Sequence, residues 1–577
     1  MQQLSGLDAT FLYFETEQTP MHVAGLTLYD LPEDFEGSVS EHFRTFFAKR
    51  VHIVPLFSKK LARTVFELDH PGWVDAGEPD LDYHIQAATL PAPGDLASLE
   101  ALVAGLHSQP LDRKMPLWQF TVIDGLEPGP DGQRQAALYS KVHHAAIDGG
   151  AGMAITKALY DLGPVPREVD EHEYAPVGRK PSVAERAILG AHDMATNIVT
   201  QQMKALEAIP KVMEAGLNVV SKLGSVDPVK ELTRQFAAPK TPFNATMGRK
   251  RSYCARTLPL SDAKAIAKAT GTKLNDVVMA ICSGAMRQYL AEKKKLPGDP
   301  LVAFVPISTR EANNADMNNQ VFGMNVPLAS DIANPLKRLA AIHENSMDRK
   351  DIAGTASGVA PSDFTLIGAP LLLPGLMQLY GKTRLSEILP QAVNVCISNT
   401  MGPPFPLYCA GAKVTALYPV SIATHGVGLN FTVQSYMNSL NFGLTAGQKA
   451  VPDVDHMGDL LITAFEELKR AALPTTAAPS PSEASDTRAP AKAEKSTKTK
   501  AKTSGETDQA PKTKKATSTA RAAPKSKTAA KTKAAAKKAA PKNNSTATKK
   551  TIKATSKKDV KSKTPAKKSA KAKPDAS

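Results

Sequence analysis

The run His143-His144-Ala145-Ala146-Ile147-Asp148-Gly149-Gly150 holds the residues of this chain best suited to chemistry: two adjacent histidines, an aspartate four residues after the second, and a glycine pair. An imidazole titrating near its ordinary value of about 6.5 can take a proton from an alcohol at neutral pH and return it to a leaving group. That capacity suits direct transfer of an acyl group to a hydroxyl, without a covalent enzyme intermediate. Upstream, Ala136, Leu138, Ser140, Val142 and His144 fall on one face of a predicted strand, and Ala137, Tyr139, Lys141 and His143 on the other. Alternation then lets one histidine face a given pocket. Gly149 and Gly150 permit a sharp turn, and Ala151 to Leu162 reads as a helix, so the pair sits where a strand ends. Asp148 has two roles open to it: orienting the ring as in a triad, or pairing with an arginine to hold the turn. A metal site built from residues 143, 144 and 148 is disfavoured because opposite strand faces separate the ligands, and no metal is expected. Gly375 to Thr383 ends in Gly-Lys-Thr but has five residues between its glycines where a phosphate-binding loop has four. No Gly-x-Ser-x-Gly elbow occurs, which argues against a serine hydrolase.

Further blocks stand in order along the chain. They are Leu7-Asp8-Ala9-Thr10-Phe11-Leu12 through Glu15, Pro20-Met21-His22-Val23, Pro116-Leu117-Trp118, Leu274-Asn275-Asp276-Val277-Val278, Val305-Pro306-Ile307-Ser308-Thr309-Arg310 with Asn319-Gln320, Ser398-Asn399-Thr400-Met401-Gly402-Pro403, Pro406-Leu407-Tyr408 and His425-Gly426. With the histidine run, they resemble the bacterial wax ester synthase/diacylglycerol acyltransferase family over almost all of residues 1 to about 470. The resemblance implies a mixed α/β fold of two chloramphenicol-acetyltransferase-like domains, joined by a helical crossover around residues 182 to 223, with the site in a channel between them. It implies acyl-coenzyme A as a substrate and no cofactor, with diacylglycerol or a fatty alcohol as acceptor. His144 becomes the general base, and His143, also in the catalytic set, turns away and orders the strand end. Asn275 becomes an oxyanion donor, with a helix N-cap as its alternative. Asp148 falls to architecture through a salt bridge to an arginine such as Arg310, and Gly149 shapes the turn. Glu15 and Trp118 are candidate substrate contacts, with a turn cap and a core anchor as their alternatives. Ala145 and Ala146 leave space for a long acyl chain. The pair Thr400-Met401 stands where the family usually has valine and proline, which bears on local loop shape.

The elements that must position these residues divide at composition changes. Residues 1–165 form an N-terminal mixed half, 166–250 a linker and crossover helix opened by the capping box Ser182-Val183-Ala184-Glu185, 251–470 a C-terminal mixed half, and 471–577 a tail. The tail carries 28 lysines and arginines against 7 aspartates and glutamates, so it exceeds the net charge of +15 of the whole chain and leaves a mildly acidic body. It lacks aromatics and nearly lacks large aliphatics, and its composition predicts disorder. Such a tail has affinity for anionic lipid or nucleic acid, the latter without a base-stacking platform. Cys254, Cys282, Cys396 and Cys409 show no close pairing and read as reduced core residues. The N-terminus has no basic and apolar leader, and Thr365 to Gly381 is short and proline-bearing for a membrane span. A cytoplasmic enzyme, peripherally attached to a membrane or lipid-droplet surface, is the expectation. Its rivals are an acyltransferase of the same fold with another acceptor, and a non-catalytic lipid-body or polyanion-binding protein.

Overall fold

Strand β7 (Gln135–His143) is the sequence's clearest alternating stretch, and it runs at the centre of a six-stranded sheet. Its neighbours are β2 (His22–Asp30) on one side and β6 (Trp118–Asp124) on the other, both antiparallel, with β5 (Ile85–Thr89) parallel to β6 at one edge. The computed structural model describes residues 2–62, 70–147, 149–172, 174, 238–308, 321–357 and 369–473. Asp148, Arg310, the expected crossover helix at 182–223 and the tail from residue 474 lie outside the described residues.

The other edge of this sheet comes from the far end of the chain. Strand β13 (Ala412–Val420) pairs antiparallel with β2, from Lys413 opposite Asp30 to Val420 opposite Ala24, and β12 (Tyr408–Cys409) pairs with β13. A division of the halves at a single point in the sequence therefore does not follow the sheets. Residues 408–420, counted from sequence with the second half, complete the first, because β2 has an open edge and β13 supplies matching backbone groups. Beneath the sheet, Phe43, Phe47 and Phe57 pack with Trp118 and Phe120.

The second sheet runs β10 (Val321–Pro327), β9 (Val302–Ser308), β11 (Val395–Thr400), β14 (Leu429–Tyr436), β15 (Ser439–Gly447), β8 (Arg251–Pro259). Strand β11 lies parallel to both its neighbours, and the remaining pairs are antiparallel. Helices Leu260–Thr270, Leu274–Glu292 and Val454–Ala472 cover one face, and Leu440, Phe442, Leu444 and Ala446 of β15 face them in a single apolar core. The helix predicted over Ala151–Leu162 is observed as Gly149–Leu159. It stops early because Asp161 exchanges backbone hydrogen bonds with Tyr408 and its carboxylate is held by the buried Arg50 and by Arg167. Among the described residues no helix is long and apolar enough to cross a membrane. Of the segment whose prolines counted against a span, the described part forms the helix Ala369–Lys382, continuous through Pro374, so Gly381 and Lys382 are helical and form no phosphate loop.

The two sheets meet through β13 and β15. A Cβ on Gly443 would lie 1.7 Å from the carbonyl oxygen of Pro419, so only glycine permits this approach. Around it Leu26, Tyr139, Tyr253, Ala255, Tyr418 and Val420 form a core shared by both halves. The helix Leu96–His107 adds a polar contact, with Glu100 accepting from the Ala255 amide at 2.6 Å and facing Arg256 at 3.2 Å. Burial pushes the Glu100 carboxyl up to about 7, against the downward pull of the Ala255 amide and Arg256. A carboxyl raised in the folded state above its ordinary 4.5 contributes fully below that value, and the contribution is lost as pH rises through about 7. Glu100→Gln keeps an acceptor for Ala255 and cannot ionise. The melting temperature of Glu100→Gln relative to the wild type should therefore rise between pH 5 and pH 8, a trend that scanning calorimetry reads directly; parallel curves would exclude Glu100 as the titrating group.

Candidate active site

The chain leaves β7 at its last residue, His143. The His143 amide donates to the Leu117 carbonyl at 3.0 Å and the His144 amide to Met21 at 2.8 Å, so the strand end is anchored on both flanks. A short 3-10 turn, His144–Ala146, follows, and the Ala145 amide donates to Nδ1 of the fully buried His143 at 3.1 Å. The side chain of one histidine thus caps the turn that carries the other. Alternation predicted opposite strand faces for the two rings; the strand stops before His144, and the turn sets its direction.

His144 stacks on Phe11, with ring centroids 3.9 Å apart and planes 13° from parallel. Phe11 rides on the helix Gly6–Phe14, whose N-cap Ser5 accepts from the Asp8 amide at 3.1 Å. Ala9, Leu12 and Tyr13 of that helix pack with Leu111, Leu117 and Ala145, while Ala146 sits at the margin of the same cluster. His144 as a residue is half-buried. Burial depresses its imidazole to about 4, with the neighbouring His143 adding to the shift against a smaller upward pull from backbone hydrogen bonding. A value this low favours the neutral ring across the physiological range.

Glu15 follows that helix and turns inward. Its Oε1 accepts from the Met21 amide at 3.0 Å and stands 3.4 Å from Nε2 of His143. Its Oε2 accepts from Nε of Arg113 at 2.9 Å and is ion-paired with Nη2 at 2.7 Å, while Nη2 donates to the Leu12 carbonyl. Burial alone would raise this carboxyl; His143, Arg113 and the Met21 amide outweigh it and hold the group at about 2. Glu15 is accordingly an internal anion on the buried side of the histidine pair, and its contacts are those of the turn-capping alternative.

Trp118, offered as a substrate contact, is buried in the core: its Nε1 donates to Phe57, and the rings of His84 and Phe57 cover it. With both faces occupied it has no surface for substrate, and its core-anchor alternative is the one observed. Asn275 is the second residue of helix Leu274–Glu292, and it is not the N-cap, because Asp276 fills the capping box by accepting from the Lys273 amide at 3.0 Å. Its Oδ1 instead accepts from Asn399 of β11 at 3.5 Å. Asp276 also meets Nδ1 of His343 at 2.6 Å. At the end of β11, Thr400 donates to the Val433 carbonyl of β14 at 3.1 Å, and Met401, the next residue, is exposed, so the unusual pair leaves the strand end tied to β14. Gly149 opens the helix after the histidine turn.

The structure thus gathers His143, His144, Ala145, Ala146 and Glu15, and adds Phe11 and Arg113, which the sequence had not singled out. Phe11 lies inside a quoted block, but its spacing reads as ordinary core. Arg113 is one arginine on a charged loop, and only the folded chain shows the carboxylate it meets.

The two-sheet fold, its first sheet completed by a strand from the second half, is shared with a solved acyltransferase. The wax ester synthase/diacylglycerol acyltransferase catalytic domain matches residues 4–278, and the C-terminal domain of the same proteins matches residues 317–469. The chain belongs to the wax ester synthase/diacylglycerol acyltransferase family. A protein of Mycobacterium tuberculosis strain H37Rv, provisionally named a diacyglycerol O-acyltransferase, is 33% identical over 473 residues, covering 81% of this chain and 99% of the relative. A second protein of the same strain, with a similar provisional name, is 31% identical over 472 residues, covering 80% and 98%. The solved wax ester synthase/diacylglycerol acyltransferase of Marinobacter aquaeolei VT8 is 28% identical, covers 82% of this chain and 100% of its own, and superposes with a TM-score of 0.57.

The stacked ring of Phe11 is the packing whose loss should be felt at His144 most directly. Phe11→Ala admits water beside the imidazole and should move its titration upward from about 4 toward the ordinary 6.5, as followed by histidine-selective nuclear magnetic resonance. An unmoved titration would show that other groups desolvate the ring.

Proposed function

We propose that this protein transfers a long-chain acyl group from acyl-coenzyme A to the hydroxyl of diacylglycerol or of a fatty alcohol, with His144 as general base. The observation that carries this reading is the imidazole of His144, stacked on Phe11 in the turn that ends β7, in a chain of this family. A base that must accept a proton works only in its unprotonated form, and a value of about 4 supplies that form at every physiological pH. In the proposed step the acceptor hydroxyl gives its proton to His144 as its oxygen bonds to the thioester carbonyl. The carbon–sulfur bond then breaks, and the proton passes to the departing coenzyme A thiolate. No acyl-enzyme forms. Asn275 is the proposed oxyanion donor; its Oδ1 is engaged by Asn399, which leaves the Nδ2 hydrogens to donate elsewhere. Asp148 and Arg310 keep the architectural pairing implied by the family resemblance, and no cofactor is proposed.

The proposed setting is a lipid surface. On the helix Ala369–Lys382, Leu372, Leu376 and Leu379 are more than half exposed, the spacing puts them on one face, and the helix contains no acidic residue. Leu373, on its other side, packs by the helix that carries Phe11. Anionic lipid is also the proposed partner of the basic tail, with nucleic acid as the competing ligand to be tested beside it.

Labelled palmitoyl transfer from coenzyme A to hexadecanol and to dioleoylglycerol is the decisive assay. Wild-type protein should form at least one ester, and His144→Ala should lose ~100-fold or more of that rate while keeping its melting temperature. No product from either acceptor would send the search to other acceptors or to a binding role. Full burial of one leucine is worth roughly 1.5–3 kcal/mol. Changing Leu372, Leu376 and Leu379 to serine should therefore weaken sedimentation with phospholipid vesicles by about a thousandfold or more, with the folded state unchanged.

A further inference from the structure

Buried polar groups crowd the inner side of the histidine pair. His22 lies opposite His143 in the β2–β7 register, and Lys141 of β7 donates to the carbonyls of Leu106 and Gln109. His107 pairs with Tyr139 and with the Ser421 carbonyl, and its backbone carbonyl meets His22. Glu15 and Arg113 close the remaining side. Among the described residues, Glu15 faces the distal nitrogen of His143, at 3.4 Å.

A neutral imidazole has one donor and one acceptor nitrogen. Nδ1 of His143 receives the Ala145 amide, so it carries no proton, and the ring proton must sit on Nε2. The group facing Nε2 is Oε1 of Glu15, whose other oxygen is clamped by Arg113. We propose that Glu15 and Arg113 are positioning residues for the transfer reaction: the arginine-clamped carboxylate fixes the Nε2–H tautomer of His143, and that tautomer caps the turn that aims His144. This rests on the reading of His144 as the base, and neither residue touches substrate. The opposite tautomer would set an N–H of His143 against the Ala145 amide and release the turn.

The geometry also dictates what a neutral replacement does. Glu15 offers one oxygen to the Met21 amide and His143, and the other to Arg113. A glutamine has a single acceptor end. It must set its amide hydrogens either against the guanidinium or against Met21 and His143, so one side loses its partner.

Three readings test this. In protein with 15N-labelled histidine, the resonances lost in His143→Gln identify His143; they should report the Nε2–H tautomer in the wild type and a mixture in Glu15→Gln. In turnover, Glu15→Gln should lower kcat by about ten- to a hundredfold, with KM for both substrates within about twofold, because aim is lost and binding surfaces are kept. Arg113→Met leaves the buried carboxyl without its cation, so its pKa rises. Activity should then fall as pH falls through that raised value, in a limb the wild type lacks. Arg113→Lys should remove the limb, and so should adding Glu15→Gln to Arg113→Met. A merely structural role predicts lower melting temperatures with unchanged pH profiles and tautomer. An Nδ1–H tautomer in the wild type, wild-type kcat in Glu15→Gln, or superimposable pH profiles for Arg113→Met and wild type would overturn the proposal. The tautomer is read without turnover, so it stands or falls apart from the acyl-transfer reading, which His144→Ala tests separately.

Discussion

The hydrogen bond from the Ala145 amide to Nδ1 of His143 decides where β7 ends, and the site is built around that end. A strand continuing to His144 would have carried its ring across the sheet by simple alternation. The cap instead opens a 3-10 turn, and the ring of His144 comes to rest on Phe11. The same helix that presents Phe11 delivers Glu15 to the buried side, so a single stretch near the N-terminus serves both histidines. Desolvation works against the charged form of both groups, with different outcomes. It drives the His144 imidazole neutral, while Glu15 stays ionised because Arg113 and the Met21 amide meet it.

Much of this was legible in the chain, and what was not has physical reasons. Alternation through Ala136 to Val142 marked β7, and Ala151 to Leu162 marked a helix observed as Gly149–Leu159. Both are local signals. The blocks carried the family and the two-sheet fold, as the catalytic and C-terminal domain matches bear out. The partners of charged side chains were not legible. Glu15 and Arg113 are separated by nearly a hundred positions, and nothing in either neighbourhood names the other. Trp118 illustrates a different limit: an aromatic in a motif reads equally as anchor or contact until both its faces are seen to be covered. The early end of the helix at Leu159 belongs to the same class, since Asp161 is drawn out by Arg50 and Tyr408 from distant parts of the chain.

The halves are interlocked by backbone as well as by side chains. Strand β13 contributes to the first sheet while packing against β15 of the second, and Gly443 lets the two approach until backbone nearly touches backbone. Glu100 adds a titratable contact across the same seam. A displacement of one sheet against the other would therefore strain β13 at once, and the entry to the histidine turn lies beside that strand's partner, β2.

The pairing of Ala24 with Val420 also fixes an order of events during synthesis. Until the ribosome has delivered β13, the first sheet ends at β2 with unpaired backbone groups along its edge, an invitation to wrong partners. The paired histidines, made early, must wait for the last third of the folded chain before their sheet is complete. Contacts this distant in sequence slow folding, because the entropy of closing so long a loop is lost before the pairing returns any stability. The protein therefore folds as one unit spanning both halves, and a nascent chain halted before residue 412 holds the histidine motif without the sheet that supports it.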